Sequence, residues 1–298
     1  MKTADPCYFE ASWYAADLDS CSTRSRITRL SLHDHVINFR VDSWPRLLIV
    51  ADSQLERGPS TVGCPDHVFN KIAGIAREMN SGWCEPFIIT LSGAAGEACL
   101  NWRTAEACCF AVPKISVFDR VALLKTVEAY LAMLRKITQP SAAAVLLGSP
   151  GGEDYFRQEI SNNLPDLLNA LIAASEQDFI KACRNLIGMG KGFSPTGDDL
   201  VHGALVAYHG FMNDMRFIVK INGPFHGLFG QTNFMGQHML EMGWQGFASE
   251  AVVAFMLALN DGAVNKLALS RVLNVGSGSG FEMASAILLY IKTMLQQQ

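Results

Sequence analysis

The sequence predicts an α+β protein in which a β-rich N-terminal part is followed by an all-helical C-terminal part. Two observations carry this prediction. Up to about residue 115, short aliphatic runs alternate with Gly, Pro, Ser and Asn, a pattern typical of strands and turns. From residue 116 onward, apolar residues recur every three or four positions, which is the period of an amphipathic helix. We therefore predict a β-rich domain over residues 1–115 and a helical domain over residues 116–298.

Within the first domain, four short runs rich in Val, Ile and Leu are bounded by turn formers, and each predicts a strand. The segment FNKIAGIAREMN between them has helical spacing and predicts one helix. The four strand segments are residues 36–42, 46–52, 86–92 and 97–102.

The helical domain opens with an apolar stripe that runs from Val121 to Leu134 at helical spacing. Small residues and turn formers at 139–155 then predict a connection. We expect Pro165 to break or restart the next helix, because proline lacks the helical N–H donor. Further helices are predicted over residues 199–211, 232–243, 247–259, 263–274 and 280–295.

Composition excludes several classes of partner. A net charge of −4 without a run of Lys or Arg makes nucleic acid a poor partner. No apolar stretch reaches the roughly 18 residues that span a bilayer, and the N-terminus lacks a signal-peptide pattern. The eight cysteines form no C-x-x-C pair or metal-ligand spacing, which predicts free thiols. We therefore expect a cytoplasmic protein without membrane or nucleic-acid partners.

The segment GMGKGFSPTGDD, residues 188–199, is the most unusual stretch of the chain. Ordering four glycines costs more backbone conformational entropy than ordering other residues, so favourable interactions of this segment must offset that cost. The segment does not match the Walker phosphate loop, which needs G-K-[ST] at its end. It also lacks the G-x-G-x-x-G spacing and the preceding strand of a dinucleotide site.

The segment instead ends in a predicted helix start. Thr196 and Asp199 have the spacing of a capping box. A helix start presents unpaired N–H groups and the positive end of the helix dipole, and flanking glycines let an anion approach the backbone. A second glycine segment, NVGSGSGFEM, repeats the arrangement, with Ser279 and Glu282 at the same spacing. If the two starts face each other, they frame one polar pocket.

These segments supply the candidate site. The candidate catalytic residues are the acidic ones, Asp198, Asp199 and Glu282. A carboxylate beside an anion site could hold a magnesium ion or accept a substrate N–H, so magnesium is a possible cofactor. The candidate substrate-binding residues are Gly188, Gly190, Lys191, Gly192, Ser194, Thr196, Gly197, Gly276, Ser277, Gly278, Ser279 and Gly280. The alternative is structural, because a glycine cluster and a capping box also end one helix and begin the next.

The first glycine segment and the residues around it, LIGMGKGFSPTGDD, resemble the L-I-G-x-G-P-G-L-T-P-S-G-D-D signature of the AllH-type subunit family of oxamate carbamoyltransferase. The second segment is similar to the family's G-H-[ST]-S-G-x-D segment, although Ser277 stands where histidine is usual. A middle segment that opens near Thr232 resembles a family helix, which adds Thr232 to the substrate-binding candidates. The likeness extends over most of residues 36–295.

The resemblance implies one subunit of a heteromeric enzyme in allantoin breakdown, which interconverts carbamoyl phosphate plus oxamate with oxalurate plus phosphate. Such small anions suit glycine-flanked helix starts, whose donors could hold the phosphate and the developing oxyanion. Two alternatives stay open: a regulatory protein that binds a small anion without chemistry, and a scaffold whose glycine segments only turn tight corners.

Overall fold

The structure is a computed structural model that describes residues 7–20, 23–116, 119–137, 146–147, 155–212 and 214–297. Contacts divide the chain into two compact units, Met1–Phe110 and Ala111–Gln298. Strands occupy the first unit and helices fill most of the second, so the predicted α+β class is confirmed. The predicted connection at 139–155 lies largely outside the described residues. The division into domains at residue 115 stays a prediction.

Ten strands of the first unit form one sheet in the order β1-β9-β8-β7-β3-β4-β5-β6-β2-β10. Most neighbouring strands pair antiparallel. Three pairs are parallel: β1 with β9, β5 with β6, and β2 with β10. The strands are β1 Cys7–Glu10, β2 Trp13–Ala15, β3 Ser25–Leu32, β4 Val36–Val41, β5 Leu47–Ala51, β6 Thr61–Gly63, β7 Met79–Glu85, β8 Ile88–Gly93, β9 Gly96–Asn101 and β10 Glu106–Cys108. A short 3-10 helix, Ala16–Ser20, follows β2.

One helix, α1 (Asp66–Arg77), packs against this sheet through Val68, Phe69 and Ile72. It ends three residues before the predicted helix, since Met79 already belongs to β7. The apolar face of α1 and the inner residues of the central strands, such as Phe39 and Val50, form the core of the first unit. None of the described cysteines forms a disulfide, and Cys7 and Cys109 are exposed.

The helices of the second unit surround two buried ones. In the helix that begins at Thr196, every residue from Gly197 to Gly210 is buried. Most residues of the helix that begins at Ser279 are buried too. The helices are α2 Arg120–Leu134, α3 Tyr155–Ile172, α4 Glu176–Leu186, α5 Thr196–Phe211, α6 Met215–His226, α7 Phe234–Gln245, α8 Glu250–Asn260, α9 Lys266–Leu273 and α10 Ser279–Gln297, and a short 3-10 helix spans Phe229–Gln231.

The break predicted at Pro165 is wrong, because α3 continues through it. Proline costs this helix one hydrogen bond, although the Pro165 ring itself lies on the exposed side. On the opposite side, Leu164, Leu167 and Leu171 are fully buried. Burial of side chains of this size contributes roughly 1.5–3 kcal/mol each, which outweighs the lost hydrogen bond.

Candidate functional site

The two predicted glycine-lined helix starts lie side by side. Near the beginning of α5, the Asp199 carboxylate accepts a hydrogen bond from the Ser279 hydroxyl at the beginning of α10. One turn further on, Gly203 lies so close to α10 that an added Cβ would be 2.6 Å from the Met283 carbonyl oxygen. Because the contacts advance in the same direction along both helices, α5 and α10 run parallel and begin at the same end of the unit.

A third helix start joins them. The Thr232 hydroxyl, just before α7, donates a hydrogen bond to Asp198. Further along, His202 Nδ1 donates to the Met239 carbonyl at 2.7 Å. The start of α7 is fixed by Asn233, whose side-chain oxygen accepts the N–H groups of residues 235 and 236 at 2.9 and 3.0 Å. Thus α7 also runs parallel to α5, and three positive helix ends meet around Asp198 and Asp199.

Asp199 joins the first glycine segment to α10. It is 2% exposed, and its Oδ1 accepts a hydrogen bond from the Ser194 hydroxyl at 2.5 Å, in addition to the Ser279 contact. Burial, with smaller contributions from the neighbouring Glu282 and Asp198, raises the pKa of Asp199 to about 7 against the effect of the two hydroxyl donors. The carboxyl is therefore only partly ionised near neutral pH.

Asp198 joins the same segment to α7. It is fully buried, and its Oδ1 accepts the Gly188 N–H at 2.8 Å while its Oδ2 accepts the Thr232 hydroxyl. Desolvation raises the pKa of Asp198 to about 6, although both hydrogen bonds oppose the rise. The third predicted acid, Glu282, is 5% exposed and lies close enough to Asp199 to affect its pKa.

The predicted capping boxes are wrong. The residue that caps α5 is Pro195, which has no side-chain donor or acceptor, and Thr196 is the first helical residue. Ser279 likewise belongs to α10 itself. The hydroxyl and carboxylate groups that the spacing assigned to local caps instead bond between elements, as Ser279 does with Asp199.

The amides at these helix starts donate mainly to the protein's own carbonyls. The Gly197 N–H bonds to the Met189 carbonyl at 2.9 Å, and the Asp198 N–H to the Pro195 carbonyl at 3.0 Å. In α10, the Gly280 N–H bonds to the Val275 carbonyl at 3.0 Å. These three amides are not free donors for a ligand. What a ligand would meet is the combined positive end of three helices and the exposed residues of the two segments.

The glycines serve two structural purposes. Gly188, Gly190 and Gly192 have φ values of 80°, 104° and 126°, which other residues rarely adopt. Gly197 and Gly280 instead allow close packing, because a Cβ on either would overlap a backbone carbonyl, that of Leu186 or Val272. Much of the glycine content is therefore explained by the path of the chain and the contact between helices.

All predicted site residues thus lie on the three helix starts or in the segments that lead into them, but they differ in accessibility. Asp198, Asp199, Gly197, Gly280 and Glu282 are buried. The exposed residues are Lys191, Gly192, Gly276 and Ser277. The half-buried ones are Gly188, Gly190, Ser194, Thr196, Thr232, Gly278 and Ser279. The accessible part of the site is therefore a rim formed by the tips of both glycine segments.

Sequence reasoning missed two contacts at the tip of the first glycine segment. Phe193, which is 46% exposed, contacts the ring of Phe234 with centroids 5.4 Å apart, and the Asn233 side chain donates to the Phe193 carbonyl at 3.1 Å. These contacts hold the tip of the first segment against the start of α7. The T-N sequence at 232–233 was a local signal for a helix start, but nothing local indicated the aromatic pair.

No group of three or more His, Cys, Asp or Glu side chains suited to holding a metal ion occurs in the described part of the chain. Asp198, Asp199 and Glu282 together are thus not such a group, and the magnesium ion stays a prediction. The two histidines of α5 bond to backbone carbonyls, His202 Nδ1 to that of Met239 at 2.7 Å and His209 Nε2 to that of Trp244 at 3.0 Å, and burial lowers the pKa of His202 to about 4.

The family comparison covers this same region. Residues 186–291 match the model of a protein family, oxamate carbamoyltransferase subunit AllH. The match begins at the last residue of α4 and ends within α10, so it contains both glycine segments and the three converging helices. The resemblance inferred from the AllH-like signature is confirmed for these residues, roughly a third of the chain, and the likeness expected before residue 186 stays a prediction.

Two other comparisons gave no match, neither to a curated protein nor to a solved structure. Among the described residues, none of the helices is both long enough and apolar enough to cross a bilayer.

The unusual pKa of Asp199 leads to a prediction about stability. Because its folded-state pKa of about 7 lies above the ordinary 3.8, the folded protein binds the proton more tightly than the unfolded chain. The free energy of unfolding should therefore fall as the pH rises from about 4 to about 7. Asp199→Asn keeps the shape without the charge, so at pH 8 it should be more stable than wild type by about 2 kcal/mol, roughly 5 °C in Tm.

The measurement is thermal unfolding of both proteins between pH 5 and pH 8, with Asp166→Asn as the control at an exposed carboxyl of α3. The advantage of Asp199→Asn should grow with pH. A difference that is constant across this range would contradict the raised pKa.

Proposed function

We propose that this chain is a subunit of a carbamoyltransferase that converts oxamate and carbamoyl phosphate to oxalurate and phosphate. The observation that carries the proposal is the family match, which spans the three helices whose starts converge around Asp198 and Asp199. The subunit designation of that family also implies that the chain works with other subunits.

The reaction requires stabilisation of negative charge. The amide nitrogen of oxamate bonds to the carbamoyl carbon, the carbon–oxygen bond to phosphate breaks, and the nitrogen loses one proton. Negative charge builds up on the carbamoyl oxygen and on the departing phosphate. Three helix starts pointing to one place provide a positive potential for both, and Lys191 on the exposed tip adds a cation that can contact phosphate.

The buried carboxyls fit this proposal through their pKa values. A fully ionised Asp199 would cancel part of the positive potential of the helix starts. With its pKa raised to about 7, Asp199 is about half protonated near neutral pH, so it cancels less of this potential than a full charge would, while both hydroxyl contacts remain. We propose that Asp198 and Asp199 position the first glycine segment against α7 and α10, whereas substrate meets the exposed rim. A catalytic role for them and for Glu282 stays a prediction.

Gly192→Val tests the role of the rim. At a φ of 126° valine is strained, so it should change the exposed tip while leaving the buried contacts of Asp198 and Asp199 in place. We expect kcat/KM of the reconstituted complex to fall roughly tenfold or more, as a positioning defect does.

The matched control is Gly262→Val, an exposed glycine with a φ of 68° between α8 and α9. It imposes a similar backbone strain outside the site and should retain wild-type kcat/KM. Equal activity of the two variants would contradict the assignment of the rim.

A non-catalytic scaffold is the second candidate function, because the helix-start amides bond to protein carbonyls rather than remaining free. The regulatory alternative is a protein that binds a small anion without chemistry. Turnover of the assembled complex and stabilisation of the chain by ligands distinguish all three functions. Turnover by the assembled complex supports the transferase. Stabilisation of the chain by carbamoyl phosphate, oxamate or oxalurate without turnover in the complex would favour the regulatory protein, and neither stabilisation nor turnover would favour the scaffold.

A further inference from the structure

A groove with basic sides lies between α4 and α6, on a part of the second unit that the proposed site does not use. The two helices share a buried aromatic contact, in which the Phe179 ring lies 5.7 Å from the rings of Phe217 and Phe225. A cavity of about 340 Å³, lined by residues of both helices, opens to the surface. Ile180 and Ile221 form apolar parts of the cavity lining, and Lys181, Arg184 and Lys220 also line the cavity.

The charge of this groove is not balanced by the protein. Lys220 pairs with Glu176 at 3.0 Å, and both side chains are well exposed. Lys181 and Arg184 have no acidic partner within 4 Å in the described parts of the chain. Two unpaired cations next to apolar side chains therefore occur together on a protein whose net charge is −4.

We propose that this groove docks an acidic, amphipathic segment of another subunit of the enzyme. This inference rests on the proposed function, since that function makes the chain a part of a heteromeric complex. Carboxylates of the segment would pair with Lys181 and Arg184, while an apolar side chain would enter between Ile180 and Ile221. Apolar anchors surrounded by charged residues are a common arrangement at protein interfaces, and helical segments often bind in grooves between helices.

Because the groove is charged, the proposal predicts how salt and a reversal of charge should change binding. Complementary charges at the rim of an interface accelerate association and are screened by salt. The double substitution Lys181→Glu and Arg184→Glu would place like charges opposite the acidic segment. Both side chains are exposed, so the variant should fold as the wild type does.

The experiment measures binding of the full-length chain to the co-expressed other subunits of the transferase, at low and at moderate salt. We expect the double variant to bind roughly tenfold more weakly or worse, and wild-type binding to weaken as salt increases. The matched control is Lys71→Glu with Arg77→Glu, which makes the same change in net charge on exposed residues of α1 and should bind as wild type does.

Each outcome decides the proposal. Wild-type affinity of the Lys181→Glu, Arg184→Glu variant overturns it. Stabilisation of the wild type but not of the variant by inorganic phosphate, with assembly unchanged, also overturns it and assigns the groove to a small anion. Normal assembly without turnover contradicts the proposed function and leaves the docking proposal standing, whereas a wild-type chain that binds no other subunit contradicts both.

Discussion

Gly197→Ala is expected to lower the Tm of the protein by roughly 10 °C. Gly197 is buried in the first turn of α5, and a Cβ there would overlap the Leu186 carbonyl oxygen. The clash is with backbone rather than with the end of a flexible side chain, so α4 and α5 must separate. Overpacking of this kind costs about 3 kcal/mol, and each kcal/mol lowers Tm by about 2–4 °C in a protein of this size. Thermal unfolding followed by circular dichroism measures the effect.

The control is Gly74→Ala at an exposed position of α1, where an added Cβ meets no atom within 4 Å. Alanine is a better helix former than glycine, so this variant should be equally stable or more stable by up to about 1 kcal/mol. If both variants had the same Tm, close contact between α4 and α5 would not be the reason for glycine at position 197.

Asp199→Ala is expected to reduce kcat/KM of the reconstituted complex about a hundredfold. The substitution removes the acceptor that joins Ser194 of the first glycine segment to Ser279 of α10. Two half-buried hydroxyls lose their partner, and the rim loses its geometry. A displacement of about 1 Å at a site that orients two small substrates is enough for a loss of this size.

Comparison with Asp199→Asn separates positioning from proton transfer. Asparagine can accept from one hydroxyl and donate to the other, so a positioning role predicts recovery to within about tenfold of wild-type activity. A group that must gain or lose a proton would not be replaced by asparagine. Equal loss in the alanine and asparagine variants, together with a change in the pH profile, would contradict the positioning role.

The succession of a β-rich part and a helical part was predictable because the two hydrophobic periods are local signals. Several strands were missed where local signals fail; β3, for example, carries the exposed Arg26 and Arg29 among its apolar residues. Helix α6 was missed because Asn222, Gly223 and Pro224 resemble a turn. The helix continues through them, since Ile221 and Phe225 are buried on its inner face.

The site was predictable in part for the same reason. Glycines at 188, 190 and 192 and the acidic pair after them lie within one short segment, residues 188–199, so they could be recognised together. The contacts that join the helix starts could not be recognised, because Asp198 and Thr232 are 34 residues apart. Such contacts depend on parallel packing of α5, α7 and α10, which no local spacing encodes. The capping-box spacing was misleading, since the same hydroxyls bond to other elements.

We propose that three helix starts form one place where the anionic substrate binds. Hydrogen–deuterium exchange of the reconstituted complex, with and without carbamoyl phosphate, measures whether they do. We expect slower exchange in three separate segments at once, residues 188–195, 232–236 and 276–280. Protection that is absent from all three, or confined to the other subunits, would contradict it.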